Sequence, residues 1–244
     1  IPIEDAILDF QILEETTNEA GDRIAKVLLV AAQRDMVNAF VSAAQSAGLD
    51  PAAVDLSSFA DLRALASGGS LLGPRESEAV IDIGAGVTNI VVHEQGLPRF
   101  VRILPMGGDD VTDALAQGLS VPWDEAETVK ARIGVTPEGG PVPAEGAARM
   151  IEQRAGAFVD EVRGSLDYYL TQQGAARIST VIVTGGGSKL PGLIERLSAA
   201  LHLPVEEGQP LTRLRLGKVD QTPDELSQMG SVCAVSIGLA MREP

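Results

Sequence analysis

Between residues 79 and 192, three glycine-rich turns each follow a short expected strand. Gly84-Ala85-Gly86 follows residues 79–83, Gly107-Gly108 follows 99–104, and Gly185-Gly186-Gly187 follows 181–184. A strand ending in glycines lets a ligand approach the backbone and turns N–H groups towards it. Helical patterns follow the second and third turns, so the chain predicts an α/β fold.

The rest of the chain is organised around this block. Residues 5–14 alternate, with Ala6, Leu8, Phe10 and Ile12 on one face of a half-buried strand. A polar stretch with Asn18 and Gly21 turns the chain into a second strand over 24–31. Asp35 is the expected N-cap of a helix with Val37, Phe40, Val41, Ala44 and Ala47 inward, and Gly48 stops it. This β-β-α unit of about 48 residues is marginal as a domain alone. A short strand near 53–56, a helix over 58–66 and a boundary at 67–75 follow. Strands are expected at 79–83, 87–93 and 99–104, the last two joined through Glu94-Gln95-Gly96. Asp109 begins a helix with Val111, Leu115 and Leu119 inward. Asp124 begins another, with Glu127 at capping-box spacing. After a loop at 136–145, a long helix over 146–173 carries Ile151, Ala155, Phe158, Val162, Leu166 and Tyr169 on one face. Strand 181–184 then leads to a helix capped by Ser188, with Pro191 in its first turn and Leu193, Ile194, Leu197 and Leu201 inward. The chain closes with a small-residue helix over 228–241.

Composition narrows the function. The net charge of −15 argues against nucleic acid and against direct docking on anionic lipid. A single cysteine, Cys233, excludes an internal disulfide, fits a reducing compartment and reads as a small core residue. No apolar run is long enough to span a membrane, and no signal peptide opens the chain. His93 and His202 lie far apart without nearby Cys, which gives little support to zinc or a Ser-His-Asp triad; His202 reads as a surface residue.

Asp82, at the end of an apolar strand with Thr88 and Asn89 just beyond, suits a polyphosphate, the carboxylate holding a hydrated Mg²⁺. A tight hairpin with a capping Asp explains the same residues. Gly185-Gly186-Gly187-Ser188-Lys189 can present N–H groups and a helix dipole to a phosphate or nucleoside, or simply join strand to helix. It is neither a dinucleotide fingerprint nor a Walker loop. Gly107-Gly108-Asp109-Asp110 is a third candidate turn. Glu127 and Lys130 share a helix face, as an ion pair or as ligand contacts.

Taken in order, DIGAGVTN, PMGGDDVT, AETVK, VTGGGSKLPG and the small-residue C-terminal helix resemble the actin-like ATPase superfamily. Within it the chain resembles the PilM family of type IV pilus assembly, along nearly its whole length and less so over 134–147. AGLDPAAVDLSSFADLRAL favours PilM over FtsA. The resemblance implies a two-lobed actin-like (ribonuclease H-like) α/β fold. Residues 1–50 would form a partial small subdomain of the 1C (SHS2) type and 51–75 part of the first lobe. Residues 76–225 would form the second lobe, and 226–244 a helix returning to the first. It implies ATP or ADP with Mg²⁺ as ligands. Asp82, Gly84, Ala85, Gly86, Val87 and Thr88 match the second phosphate loop, with Asp82 reaching the metal through water. Gly107, Gly108 and Asp109 match the following turn. Glu127 and Lys130 match the pair against ribose and base, and Gly185, Gly186, Gly187 and Ser188 match the adenosine loop. Asp55 lies near the position of a water-positioning catalytic residue.

The implied partner is the N-terminal cytoplasmic peptide of PilN, an inner-membrane protein, with other pilus assembly proteins and self-association besides. The protein would then be cytoplasmic and reach the membrane only through partners, with slow ATP turnover or none. Eleven acids against Arg23, Lys26 and Arg34 in residues 1–61 would steer a basic peptide, or form a solvated acidic face. The family's first phosphate loop, GLDIGxxxxK, has no counterpart here. Residue 1 is Ile, and IPIEDAILDF reads as the interior of a fold, so the chain is expected to be a fragment or a processed piece. Without that loop nucleotide binding is expected to be weak or lost. The rivals are an FtsA-like division protein, which usually ends in a basic amphipathic helix, a sugar kinase on the same fold, and a scaffold that has lost nucleotide.

Overall fold

The computed structural model describes residues 2–18, 21–66, 76–136, 146–215 and 217–241. The chain divides into two compact units, residues 1–55 and 56–242. In the first, β1 (Ala6–Thr17) and β2 (Arg23–Gln33) form an antiparallel hairpin with a bulge between Ile12 and Glu14. The Asn18 side chain accepts from the Asp22 amide at 2.8 Å and fixes the turn. Both strands run longer than expected, because the ladder continues through polar pairs such as Glu14 with Lys26 and Thr17 with Arg23.

Helix α1 (Arg34–Ser46) packs on β2. Its N-cap is Gln33, not Asp35, which lies inside the first turn. Val37, Val41 and Ala44 are half-buried, whereas Phe40 is 72% exposed and Ala47 is exposed too, against expectation. On the strands, Ala6 is buried as expected, but the rest of its face is not. Ile7, Leu13, Leu28 and Val30 are half-buried, while Leu8, Phe10 and Ile12 are exposed beside Val27 and Leu29. Alternation identified the two faces; which one the helix covers is a tertiary choice. Residues 51–56 form no strand.

The second unit is built on a five-stranded sheet of order β5-β4-β3-β6-β7. Its strands are β3 (Glu76–Ile83), β4 (Thr88–Glu94), β5 (Leu97–Leu104), β6 (Arg177–Thr184) and β7 (Val205–Glu207). β3, β4 and β5 are antiparallel neighbours, whereas β6 runs parallel to β3 and β7 parallel to β6. Strand β7 is unforeseen, since three residues carry too little pattern to be seen. Ala79, Ile81, Ile83, Ile90, Val92, Val181 and Val183 point to one face. There they meet α3 (Gly108–Leu119), α5 (Gly146–Leu170) and α6 (Leu193–Leu201), and Ile151, Val162 and Leu197 complete the core. Val80, Val91 and Ile182 point to the other face, towards Leu62, Ala64 and Leu65 of α2 (Ser57–Leu65) and Ala234 of α8 (Ala234–Ala240). Strands covered on both faces read as continuous apolar runs, as β3 and β6 do.

Several boundaries move. Helix α4 (Trp123–Ile133) starts after Pro122 with no side-chain cap, so Asp124 and Glu127 form no capping box. A capping box does start α7 (Pro223–Gly230): Thr222 N–H donates to Glu225 Oε2 at 2.7 Å, and Glu225 N–H to Thr222 Oγ1 at 3.3 Å. Ser188 lies in a 3₁₀ turn and donates to the Gly185 carbonyl at 2.8 Å, while α6 begins later with Gly192 at its N-cap. Pro191 thus precedes that helix. The C-terminal helix is broken into α7, a 3₁₀ turn and α8, and Cys233 in that turn is half-buried. The boundary at 67–75 and nearly all of the loop at 136–145 lie outside the described residues.

Candidate nucleotide site

The ends of β3, β5 and β6 open on the same side of the second unit, and a cavity of about 470 Å³ lies beside them. Gly84 and Ala85 form one rim, Gly107, Gly108 and Asp109 a second, and Gly186 and Gly187 a third. Glu127 and Lys130 line it from α4. The three turns are therefore brought together, though they are separated by up to a hundred residues in sequence.

The first two turns are locked to each other. Gly108 N–H donates to Gly84 O at 3.0 Å, and Asp109 N–H to Ala85 O at 2.9 Å. Gly107 N–H donates to Asp110 Oδ2 at 2.7 Å. A Cβ on Gly107 would run into the Ala85 and Gly84 carbonyls, so only glycine allows the approach. These amides are already used, whereas the N–H groups of Ala85 and Gly86 meet no acceptor among the described residues. Adjacent free amides in a glycine turn favour an anion. Gly86 and Val87 are exposed at this turn. Thr88 is buried and donates to Met106 O at 2.9 Å, so its hydroxyl holds the loop.

Glu127 and Lys130 meet at 2.7 Å and share a third partner, Thr112 of α3. Thr112 Oγ1 donates to Glu127 Oε2 at 2.6 Å and accepts from Lys130 Nζ at 2.8 Å. Lys130 also donates to Gly108 O at 3.2 Å, tying α4 to the second turn. Burial pushes the Glu127 carboxyl up, but the hydrogen bonds from Lys130 and Thr112 and the Lys130 charge outweigh it, leaving it below the ordinary range. Thr112 is fully buried and was not foreseen from the sequence. Its signal was there: it stands one helical turn after Gly108 and so looks towards the same end of α3.

The remaining wall is apolar. Met106, Trp123, Phe158, Leu190 and Leu193 line it, with Arg154 at its edge. Trp123 Nε1 donates to Asp113 at 3.2 Å, which holds the indole. Phe158 was legible only as a core residue. An apolar wall opposite paired polar groups and a free-amide turn fits a ligand with a flat apolar part and an anionic tail.

Asp82 ends β3 beside these rims and is half-buried, opposite Asn89 on β4 and Thr184 on β6. Burial raises its carboxyl, partly offset by the Asn89 hydrogen bond. Gly185 has φ +84° and a Cβ there would strike the Asp82 carboxylate, so glycine is required twice over. Asp61 of α2, which no sequence motif singled out, feels the charge of Asp82. Asp61 is 1% exposed, and burial and then the Asp82 charge push its carboxyl up to about 8. Asp55 belongs to the first unit, not to the body that carries the cavity.

Comparison with known proteins gives the family. FtsA, the cell division protein, is 30% identical in Escherichia coli K12, over 91% of this chain and 58% of that protein. In Pseudomonas aeruginosa it is 31% identical, over 66% and 43%. The chain thus spans about half the length of the curated relatives it matches. Among solved structures, the PilM-PilN type IV pilus biogenesis complex matches with a TM-score of 0.83 and 28% identity, over 100% of this chain and 69% of that one. MreB5 of Spiroplasma citri bound to ADP matches at TM-score 0.61 and 14% identity, over 86% and 65%, which establishes fold alone. The sheet order, the three converging turns and these likenesses agree on an actin-like α/β fold. The model of the type IV pilus assembly protein PilM matches residues 1–244, and the chain belongs to that family.

Proposed function

We propose that this chain carries the nucleotide-responsive part of a type IV pilus assembly protein that binds ATP or ADP with Mg²⁺. The observation that carries the reading is the cavity itself, where a free-amide turn, the Glu127–Thr112–Lys130 cluster and an apolar wall converge. Ala85 and Gly86 would take phosphate oxygens, Glu127 and Lys130 the ribose hydroxyls, and the apolar wall the base. Asp82 would orient a hydrated Mg²⁺, the group that screens phosphate charge. Binding would bias the protein between two arrangements, and turnover is secondary to that role. Asp55 as a water-positioning residue belongs to the same proposal.

The partner is the cytoplasmic N-terminal tail of PilN, on the strength of the likeness to the PilM-PilN complex. No helix among the described residues is long and apolar enough to cross a membrane. We place the protein in the cytoplasm, held to the inner membrane through PilN and in contact with further assembly proteins or copies of itself. The small 1C-type subdomain over 1–50 would take the peptide.

Titration of the protein with Mg-ATP and Mg-ADP tests the nucleotide reading. Saturable binding that is lost in Asp82→Ala and Lys130→Met supports it; binding unchanged in both, or none at all, overturns it. A PilN tail peptide tests the partner, and equal affinity for a scrambled peptide defeats it. The FtsA relatives favour cell division as the second reading, and capture of cell-division proteins in place of the PilN tail would select it.

A further inference from the structure

A second cleft, of about 280 Å³, opens between α5 and α6 and has no lining residue in common with the nucleotide cavity. Three basic side chains converge on it. Arg163 comes from α5 and Arg196 from α6, and His202 stands at the end of α6. Arg163 donates through Nη2 to Asp160 at 2.8 Å. Its other N–H groups, and the side chains of half-buried Arg196 and of His202, meet no acceptor among the described residues. His202 has φ +54°, an uncommon conformation for a residue with a Cβ, and it lines the cleft from there.

Among the lining residues, two guanidiniums stand against the single carboxylate of Asp160, which leaves +1 before the imidazole is counted, on a chain of net charge −15. Arginine takes a carboxylate through two parallel hydrogen bonds, and Asp160 uses one nitrogen of one arginine. The room between the arginines comes from small residues. Ala199 and Ala200 line the α6 side, and on the α5 side a Cβ added to Gly156 would meet nothing within 4 Å. Glycine weakens a helix, and neither a positive φ nor a close neighbour requires it at Gly156. The volume lies below the range of ligand pockets, which starts at about 300 Å³, so the cleft seats one or two side chains. A second copy of this chain would bring its own charge of −15, and the two would repel; a short acidic segment brings far less.

We infer that the α5–α6 cleft is a docking socket for a short acidic segment of a partner protein, with Arg163 and Arg196 holding its carboxylates. Asp160 positions Arg163, and Gly156 keeps the socket open. The socket goes beyond the proposed function and requires neither the nucleotide nor the PilN tail. Its sign is opposite to that of the acidic residues 1–61, so the two units of the chain suit partners of opposite charge.

A short fluorescein-labelled peptide of glutamate and serine, read by fluorescence anisotropy on the whole chain at low salt, tests this, with a glutamine–serine peptide as control. The glutamate peptide should bind, the glutamine peptide should not, and added salt should weaken the complex. Arg163→Glu and Arg196→Glu should each weaken binding about tenfold or more, and Gly156→Leu, which fills the cleft without changing charge, by a similar factor. Arg177→Glu makes the same charge change at an exposed position of β6 and should stay within about twofold of wild type. Far-UV spectra check that the variants fold, and the charge and filling variants test the socket independently. Equal affinity for the two peptides, no binding of either, or an equal loss in Arg196→Glu and Arg177→Glu overturns the socket. Displacement of the peptide by an equal concentration of inorganic phosphate overturns it in favour of a small-anion site. Self-association in sedimentation that Arg196→Glu abolishes overturns it in favour of a second copy. None of these residues lines the nucleotide cavity, so Mg-ATP affinity should hold in every variant, and failure here is distinct from failure of the proposed function.

Discussion

Replacing Thr112 by valine removes one hydroxyl from the centre of the site and leaves its volume nearly intact. The oxygen donates to Glu127 at 2.6 Å and accepts from Lys130 at 2.8 Å. Both partners are charged, and such a bond contributes about 1.5–3 kcal/mol when both sides are protein. Two features reduce the loss. Glu127 is 42% exposed and can turn to water, and Lys130 keeps Glu127 at 2.7 Å and Gly108 O. The expected net cost is therefore about 1–2 kcal/mol in urea denaturation, at unchanged m-value. Thr112→Ser keeps the hydroxyl and loses only a methyl, costing about 1 kcal/mol or less. The pH profile separates the two. Glu127 sits below its ordinary pKa in the folded state, so its contribution is present above the unfolded value of 4.5 and disappears as pH falls. Thr112→Val should shrink that acid-side loss, because one of the bonds holding the carboxylate is gone, and Thr112→Ser should not. Nucleotide affinity should fall with Val and hold with Ser. A Val variant as stable as wild type, with an unchanged acid limb, would refute the claim that Thr112 organises the pair.

Three further outcomes are expected. Stability should fall as pH rises from about 4 to about 8, because folded Asp61 keeps a proton, its pKa raised from 3.8 to about 8, that the unfolded chain releases. Those four units set a ceiling of about 6 kcal/mol, Asp61→Asn should abolish the slope, and a flat wild-type profile of thermal midpoint against pH would contradict it. Gly238→Ala drives a Cβ into the Ala60 carbonyl where α8 crosses α2, and should cost about 1–3 kcal/mol in denaturant; a neutral result would mean the two helices are not that close. Gly107→Ala should separate the two locked turns and abolish calorimetric nucleotide binding while a folded circular dichroism spectrum persists; wild-type affinity would exclude the turn from the site.

The sequence was most informative where one pattern had one structural solution. The glycine turns at 84–86, 107–108 and 185–187 had to end strands, and the apolar stripe from Ile151 to Tyr169 had to be a buried helix face. Spacing rules failed where several residues could satisfy them. The capping-box pattern fits both Asp124–Glu127 and Thr222–Glu225, but only the second forms, because Glu127 has a stronger offer from Thr112 and Lys130. Ser188 looked like a cap, yet its hydroxyl bonds back to Gly185.

By itself, then, the sequence determined the α/β order of elements, the glycine turns that end the strands and the placement of Glu127 and Lys130 on one helix face, since these follow from local periodicity and spacing. Only the tertiary structure decided that Thr112 joins that pair and that the hairpin face bearing Phe10 and Leu29 stays in solvent. Only it, too, buried Asp61, a residue of an ordinary amphipathic helix, without a hydrogen-bond partner and under the charge of Asp82. The reason is common to all three: burial and charge proximity depend on residues far away in the chain, and no window of local sequence contains them.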